Sequence, residues 1–199
     1  MTNDEKLTAA RESFSGKSMT ESQLKEAVAI SDILHAEIER SGSFIEKLVD
    51  YSHAYARNEK FDAMRAEKII RDVYTATQGQ SMNQTREGLK AAEDNLPDDA
   101  QARALSCAAS IGQLVQAAPT QPFYQAYDRA AVTLSAEFGI TQVAAKSLMK
   151  DVFQQNYGKE LYAHGKQIEE QFHKPVREAE MAARKQEQQP VRSQSQSYS

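Results

Sequence analysis

The feature that most constrains the fold is a stretch without charge, Ala104 to Tyr127, in a chain whose residues are 26% charged. Its first part, as far as Ala118, is rich in alanine, larger aliphatic residues and small polar residues. A helix with no face that prefers water is expected to be buried on most of its sides. Pro119 and Pro122 interrupt the stretch, whereas a membrane span needs about 20 predominantly apolar residues. The stretch therefore predicts a buried central helix and no membrane span.

The remainder of the sequence predicts helices and no strands. Apolar side chains recur with helical spacing, and no stretch alternates convincingly over the length of a strand. Glycines mark the predicted ends of helical segments at Gly42, Gly79, Gly139 and Gly158. The predicted fold class is all-α, a helical bundle of about seven or eight helices. These helices surround the buried uncharged helix, in which Ile111 and Leu114 should be buried, and a projecting C-terminal helix leads into a disordered tail.

Several helix starts carry the signature of a capping box, in which Ser or Thr is followed three residues later by Glu or Gln. Thr20 with Gln23, Ser43 with Glu46, and Ser81 with Gln84 have this spacing. The polar link at 57–60 predicts a break near Asn58, because one continuous helix there would exceed the usual length of about 8–20 residues.

Composition predicts three parts of the chain. Residues 1–17 are polar and of mixed charge, which predicts a flexible leader. Residues 18–175 form a single all-α domain, and a subdivision near 96–98, around Pro97, is an open alternative. Residues 176–199 offer few large apolar side chains, which predicts a solvent-exposed helical extension and a disordered tail.

Charge and composition narrow the classes of function. The formal net charge is −4 and the pI about 5.7, with no block of like charge, so nothing indicates a basic nucleic-acid arm or a membrane patch. The N-terminus has no apolar core of a secretory signal. We therefore expect a cytoplasmic protein.

One motif resembles a phosphate-binding loop but departs from it. Gly16, Lys17 and Ser18 match the end of that loop, whereas Arg11 stands where the loop needs its first glycine. A leader that runs into a helix cap is the preferred interpretation. Serine and histidine are also present without the signature of a catalytic set, so no catalytic residue and no cofactor are predicted.

The segment 134–150 resembles a helix-turn-helix DNA-binding motif. A small residue, a glycine four positions later and then an apolar residue stand at the motif's offsets, as Ser135, Gly139 and Ile140. The resemblance implies a recognition helix whose outward residues contact bases and phosphates. These tentative DNA-binding residues are Thr141, Gln142, Lys146 and Lys150. The alternative is a plain helical hairpin.

Three of the four histidines follow an acidic residue by three positions. Such a pair shares one face of a helix, and paired Glu-x-x-His motifs bind two metal ions in ferritin-like bundles. The pairs are Asp32 and His35, Asp50 and His53, and Glu170 and His173. A helical metal-binding protein is therefore one alternative, and exposed acid–histidine pairs without a metal are the other.

The sequence leaves three classes of function, and the first of them needs no dedicated site. It is a non-enzymatic interaction or adaptor protein, which binds a protein partner, or itself, through a helical surface. The second is a helix-turn-helix regulator, which would need to dimerise to gather enough positive charge. The third is the metal-binding protein. We expect the first.

Overall fold

A computed structural model describes residues 1–187, which contain nine α-helices, one turn of 3-10 helix at Gly16–Ser18 and no strand. The all-α prediction is confirmed. The α-helices are α1 (Asn3–Glu12), α2 (Glu21–Ser41), α3 (Ile45–Glu59), α4 (Ala63–Gln78), α5 (Met82–Asp94), α6 (Ala100–Ala117), α7 (Phe123–Phe138), α8 (Gln142–Tyr157) and α9 (Leu161–Glu187).

The helices belong to two compact units. The first unit contains Met1–Ala100 and Ala131–Leu148, and the second contains Gln101–Ala130 and the described residues from Met149. The boundary after Ala100 lies close to the alternative subdivision at 96–98. Helices α7 and α8 each contribute residues to both units.

In the first unit, α4 is the helix on which the others pack. It contacts α1, α2, α3 and α5, because its large apolar residues recur every three or four positions on one face. Ile70, Val73 and Tyr74 of this face are buried, with Leu34 and Tyr55 from α2 and α3 in the same core. Burial of such a stripe is the main term that stabilises the unit.

Most of the predicted helix ends are observed. Gly42 and Gly79 adopt the left-handed conformation at the ends of α2 and α4, which glycine adopts without the steric cost of a Cβ atom. Lys60 ends α3 in the same conformation, which confirms the break predicted near Asn58.

Two of the three predicted capping boxes form as expected. The Thr20 side chain accepts from the Gln23 N–H, and Ser81 pairs with Gln84 in the same way. The prediction for Ser43 is wrong, because Phe44 occupies the N-cap of α3 and makes no side-chain cap. Phe44 is instead buried in the core, so packing takes precedence over the capping pattern.

The leader predicted to be flexible contains an ordered helix, and that prediction is wrong. A capping box of Thr2 and Glu5 starts α1, and α1 packs on α2 and α4. Ala10 is buried in the core, Leu7 packs against it, and Lys6 Nζ lies 2.6 Å from the Asp32 carboxylate. Ala10 and Leu7 are the residues of α1 in this core, and two apolar positions are too few to produce a clear apolar period in the sequence.

The uncharged helix α6 is buried on one face only, so the prediction of a helix buried on most sides is wrong. Ile111 is fully buried as predicted, whereas Leu114 is 55% exposed. The buried face consists mainly of small residues, Ala100, Ala104, Ala108, Ile111 and Val115. A lack of charge therefore did not indicate burial on all sides.

Helix α9 continues through Pro175 to Glu187, so the helix does not stop at the proline that precedes the predicted extension. From Lys174 to Lys185 every residue is exposed except Val176, which is half-buried. The expected solvent-exposed helical extension is thus observed up to Lys185. The tail predicted to be disordered lies, from residue 188, outside the described residues.

In the second unit, α9 packs closely on two other segments. A Cβ atom on Gly165 would lie 2.1 Å from the Phe123 ring, so only glycine fits at that position in this packing. The buried His173 donates from Nε2 to the Val115 carbonyl of α6 at 2.9 Å. The Glu169 carboxylate accepts from the Phe123 N–H at the start of α7, where negative charge is favourable.

Candidate functional site

The turn of the helix-turn-helix candidate has the predicted local structure. Helix α7 ends at Phe138, Gly139 adopts a positive φ of 64°, and α8 begins at Gln142. The Ser135 hydroxyl donates to the Ile140 carbonyl at 2.7 Å. The serine, which departs from the alanine common in the motif, thereby satisfies a backbone carbonyl of the turn.

Thr141 is used to start helix α8. Its hydroxyl accepts from the Ala144 N–H at 3.1 Å, as an N-cap does, and donates to Glu93 Oε1 at 2.5 Å. The Thr141 N–H donates to the same Glu93 oxygen at 3.0 Å. Thr141 is only 6% exposed. A contact of its hydroxyl with a base edge would require this arrangement to open.

The other three tentative DNA-binding residues lie on α8 with different exposures. Lys150 is exposed, whereas Gln142 and Lys146 are half-buried. The segment 123–157 carries three acidic and three basic residues, so it has no net positive charge with which to attract phosphate. DNA binding by these residues stays a prediction.

The acid–histidine pairs are not assembled into metal sites in the described part of the chain, where no group of three or more potential ligands converges. The Asp32 carboxylate pairs with Lys6, and His173 donates to a backbone carbonyl. Asp50 and His53 are both exposed on α3. Their spacing is that of polar residues on the faces of amphipathic helices.

His35 belongs to a hydrogen-bonded chain that connects three helices of the first unit. The Tyr74 hydroxyl donates to Thr85 Oγ1 at 3.0 Å, and Thr85 donates to the Ser81 carbonyl at 3.1 Å. Because its only proton goes to Thr85, the Tyr74 hydroxyl accepts from His35 Nδ1 at 2.9 Å. Tyr74 and Thr85 are buried, so this chain supports the core and offers no accessible nucleophile.

A surface with exposed apolar and cationic side chains lies where the turn after α1 meets α4. Phe14 is 80% exposed and Met64 84% exposed, the two highest values among the exposed large apolar side chains. Phe14 lines a cleft with Ser15, Ser18, Arg65, Lys68 and Ile69. We give the name Phe14 surface to five exposed residues of this turn and of the first turns of α4, which are Phe14, Lys17, Met64, Arg65 and Lys68.

Two cations of the Phe14 surface lie over aromatic rings. Lys68 Nζ is 4.7 Å from the centroid of the Phe14 ring, and Arg65 Cζ is 4.5 Å from that of Phe61. Such contacts contribute about 0.5–1 kcal/mol at exposed sites. The Phe14 ring is thus held beside α4 while one face stays in water.

The turn that carries Phe14 is fixed by close packing and hydrogen bonds. The Ser13 hydroxyl donates to the Ala10 carbonyl at 2.6 Å and accepts from the Gly16 N–H at 3.0 Å. The Ser15 hydroxyl donates to the Asp72 carboxylate of α4. A Cβ atom on Gly16 would lie 1.8 Å from the Ala10 oxygen, so the glycine that resembles a phosphate-binding loop serves this packing.

The sequence contained a signal for this surface. Phe14 is a large aromatic residue within an otherwise polar segment. Met64 lies near the start of α4, outside the set of positions whose helical spacing forms the buried face. Neither residue fits an amphipathic stripe, and a large apolar residue outside such a stripe is a candidate for exposure. The proximity of the two segments, far apart in sequence, could not be inferred.

The chain matches no protein-family model, no curated protein and no solved structure. Among the described residues, no helix combines the length and the apolar character needed to cross a membrane.

Proposed function

We propose that this protein is a non-enzymatic interaction or adaptor protein that binds a protein partner through the Phe14 surface. The observation that carries the proposal is the high exposure of two apolar side chains, Phe14 and Met64, with Lys68 beside the Phe14 ring on an ordered scaffold. Exposed apolar groups with a polar rim are the usual composition of a binding patch. A cytoplasmic location is part of the same proposal.

Preorganisation is the second argument for binding at this surface. Ser13, Ser15 and Gly16 fix the turn through hydrogen bonds and close packing. A partner would therefore order few additional rotamers when it covers the Phe14 ring, which lowers the entropic cost of association. Arginine and aromatic residues are also enriched among the side chains that dominate binding energy.

Site-specific cross-linking tests the proposal. A photoreactive phenylalanine analogue at position 14 should form a discrete adduct with a partner in cells that produce the protein, and the same analogue at position 124 should not. Tyr124 is a suitable control because it is also an exposed aromatic residue. Met64→Ala combined with Lys68→Glu should abolish the adduct from position 14. Equal adducts from both positions, or none from position 14, would contradict the proposal.

A second candidate function is DNA binding by the segment 134–150. The observation that favours it is the helix, left-handed glycine and helix at the predicted positions. In a gel mobility-shift experiment, wild-type protein should then slow the migration of a DNA duplex at about 50 mM salt, and the affinity should fall steeply as the salt concentration rises. Lys146→Glu with Lys150→Glu should abolish the shift without changing the thermal melt. A failure to bind duplex at low salt would exclude this candidate.

A further inference from the structure

We infer that the partner of the Phe14 surface is an acidic protein segment whose apolar side chains cover Phe14 and Met64. This inference rests on the proposed function and adds the chemistry of the partner. It follows from two properties of the surface, the cations that form no salt bridge and the exposed apolar side chains.

Among residues 1–187, the carboxylates nearest in sequence to the cations of the surface form their own contacts and no salt bridge with Lys17, Arg65 or Lys68. Asp62 accepts from the Arg65 N–H as the N-cap of α4, and Glu67 pairs with Arg71 at 2.8 Å. Asp72 accepts from the Ser15 hydroxyl.

Within the described residues, the side chains of Lys17, Arg65 and Lys68 form no salt bridge. An acidic partner would pair with them at the rim of the interface, which mainly raises the rate of association and the selectivity.

The two exposed apolar groups are both related to Lys68 of α4. Met64 precedes Lys68 by one helical turn and lies on the same face, and the Phe14 ring covers the Lys68 ammonium group at 4.7 Å. A partner therefore needs apolar groups for Phe14 and Met64 and a carboxylate for the cation. An amphipathic segment with apolar anchors about one helical turn apart provides this pattern.

Nucleic acid and lipid surfaces fit the same observations less well. Recognition of an anionic membrane by charge takes clusters of about 4–8 basic residues, and this surface has three, Lys17, Arg65 and Lys68, in a chain of net charge −4. A polyanion would also leave Phe14 and Met64 without apolar contacts. Binding to a vesicle or a duplex is therefore an outcome against the inference.

Two synthetic peptides of about 16 residues provide the test. Both carry leucines at the same helical spacing, and the remaining positions are glutamate and alanine in one peptide and lysine and alanine in the other. Fluorescence anisotropy of the labelled peptides is measured with the full chain at about 50 mM and about 500 mM salt. The variants are Phe14→Ala and Lys68→Glu, and the matched controls are Tyr124→Ala and Lys185→Glu.

The glutamate peptide should bind wild type and both controls, more weakly at high salt. Phe14→Ala and Lys68→Glu should each weaken this binding by about tenfold or more, which corresponds to about 1.4 kcal/mol. Their thermal melts should stay within a few degrees of wild type, because both side chains are exposed and the cation–π contact that they share contributes little to stability. The lysine peptide should not bind.

The inference is overturned if neither peptide binds, if both bind equally, or if Phe14→Ala binds like wild type. Binding of phosphatidylserine vesicles in place of the glutamate peptide, abolished by Lys68→Glu, would overturn it in favour of a membrane. A cross-link from position 14 without binding of the glutamate peptide would support the proposed interaction surface and contradict only the acidic partner. If neither the cross-link nor the peptide binding is observed, the proposed function is contradicted as well.

Discussion

Helices α4 and α6 differ in a way that charge content alone does not predict, because the more highly charged helix has the larger buried face. Helix α4 carries five charged residues in 16, yet its buried face contains six residues. Helix α6 has Arg103 as its only charged residue, yet Leu114 is more than half exposed.

The difference lies in the size and the spacing of the apolar side chains. Helix α4 places large side chains such as Ile70 and Tyr74 on one narrow face, which removes much apolar area from water. Helix α6 spreads small residues around its circumference, and only Ile111 and Val115 are large and buried. Large apolar residues at helical spacing indicate which face is buried, whereas the absence of charge indicates only that no face is strongly polar.

The largest expected effect is from the core of α4. Ile70→Ala should lower the free energy of unfolding by about 2–5 kcal/mol, because a fully buried isoleucine leaves a cavity. Urea denaturation followed by circular dichroism measures this change. Ile45→Ala, at an exposed isoleucine of α3, is the control and should cost well under 1 kcal/mol, or roughly the range of surface substitutions.

A pair of substitutions in α6 sharpens the comparison. Ile111→Ala should cost roughly 2–3 kcal/mol, the low end for buried isoleucine, because its neighbours on the same face are small and can close the gap. Leu114→Ala should cost less than about 1 kcal/mol. A loss at Leu114 as large as that at Ile111 would mean that the exposed side of α6 is covered.

Alkaline pH should destabilise the tyrosine-rich core around α4. Burial raises the pKa of the Tyr74 phenol, and burial also raises the pKa of Tyr55. The folded state therefore holds these protons more tightly than the unfolded chain. The stabilisation is complete below the unfolded pKa of about 10 and is lost as the pH rises from there through the folded-state pKa.

Unfolding free energies measured from about pH 9 to about pH 11 test this expectation. Tyr74→Phe should make the decline with pH shallower, whatever its cost at neutral pH, because one titrating group is removed. Tyr124→Phe, at an exposed tyrosine, should leave the slope unchanged. An unchanged slope for Tyr74→Phe would show that its phenol does not contribute.

The smallest effect is expected from removal of the C-terminal part of α9. Ala179, Met181 and their neighbours are exposed, and only Val176 is half-buried. A chain truncated after Pro175 should melt within about 2 °C of the full chain, a shift that corresponds to a fraction of a kcal/mol for a chain of this size. A larger loss would mean that this segment is covered in solution.

The sequence predicted the structure correctly where interactions between residues close in sequence determine it. Left-handed glycines, the Thr20 and Ser81 caps and the break before Asp62 depend on a few adjacent residues. Its predictions were wrong where contacts with segments distant in sequence determine the structure. Helix α1 is held by Asp32 and the core.

Among the tentative site residues, Thr141 donates a hydrogen bond to Glu93, which lies 48 positions earlier in the chain. The Phe14 surface likewise needs α4 beside the turn after α1. A sequence pattern contains no information about which distant segment will lie beside it.

The contact between Phe123 and Gly165 has a consequence for the register of α9. The ring occupies the space that a side chain at position 165 would need, while the adjacent positions carry His164 and Lys166. A shift of α9 by one residue in either direction would place one of these bulky side chains against the ring. The glycine thus fixes the register of α9 together with the hydrogen bonds of Glu169 and His173, and an insertion in the turn before Leu161 must be absorbed by that turn.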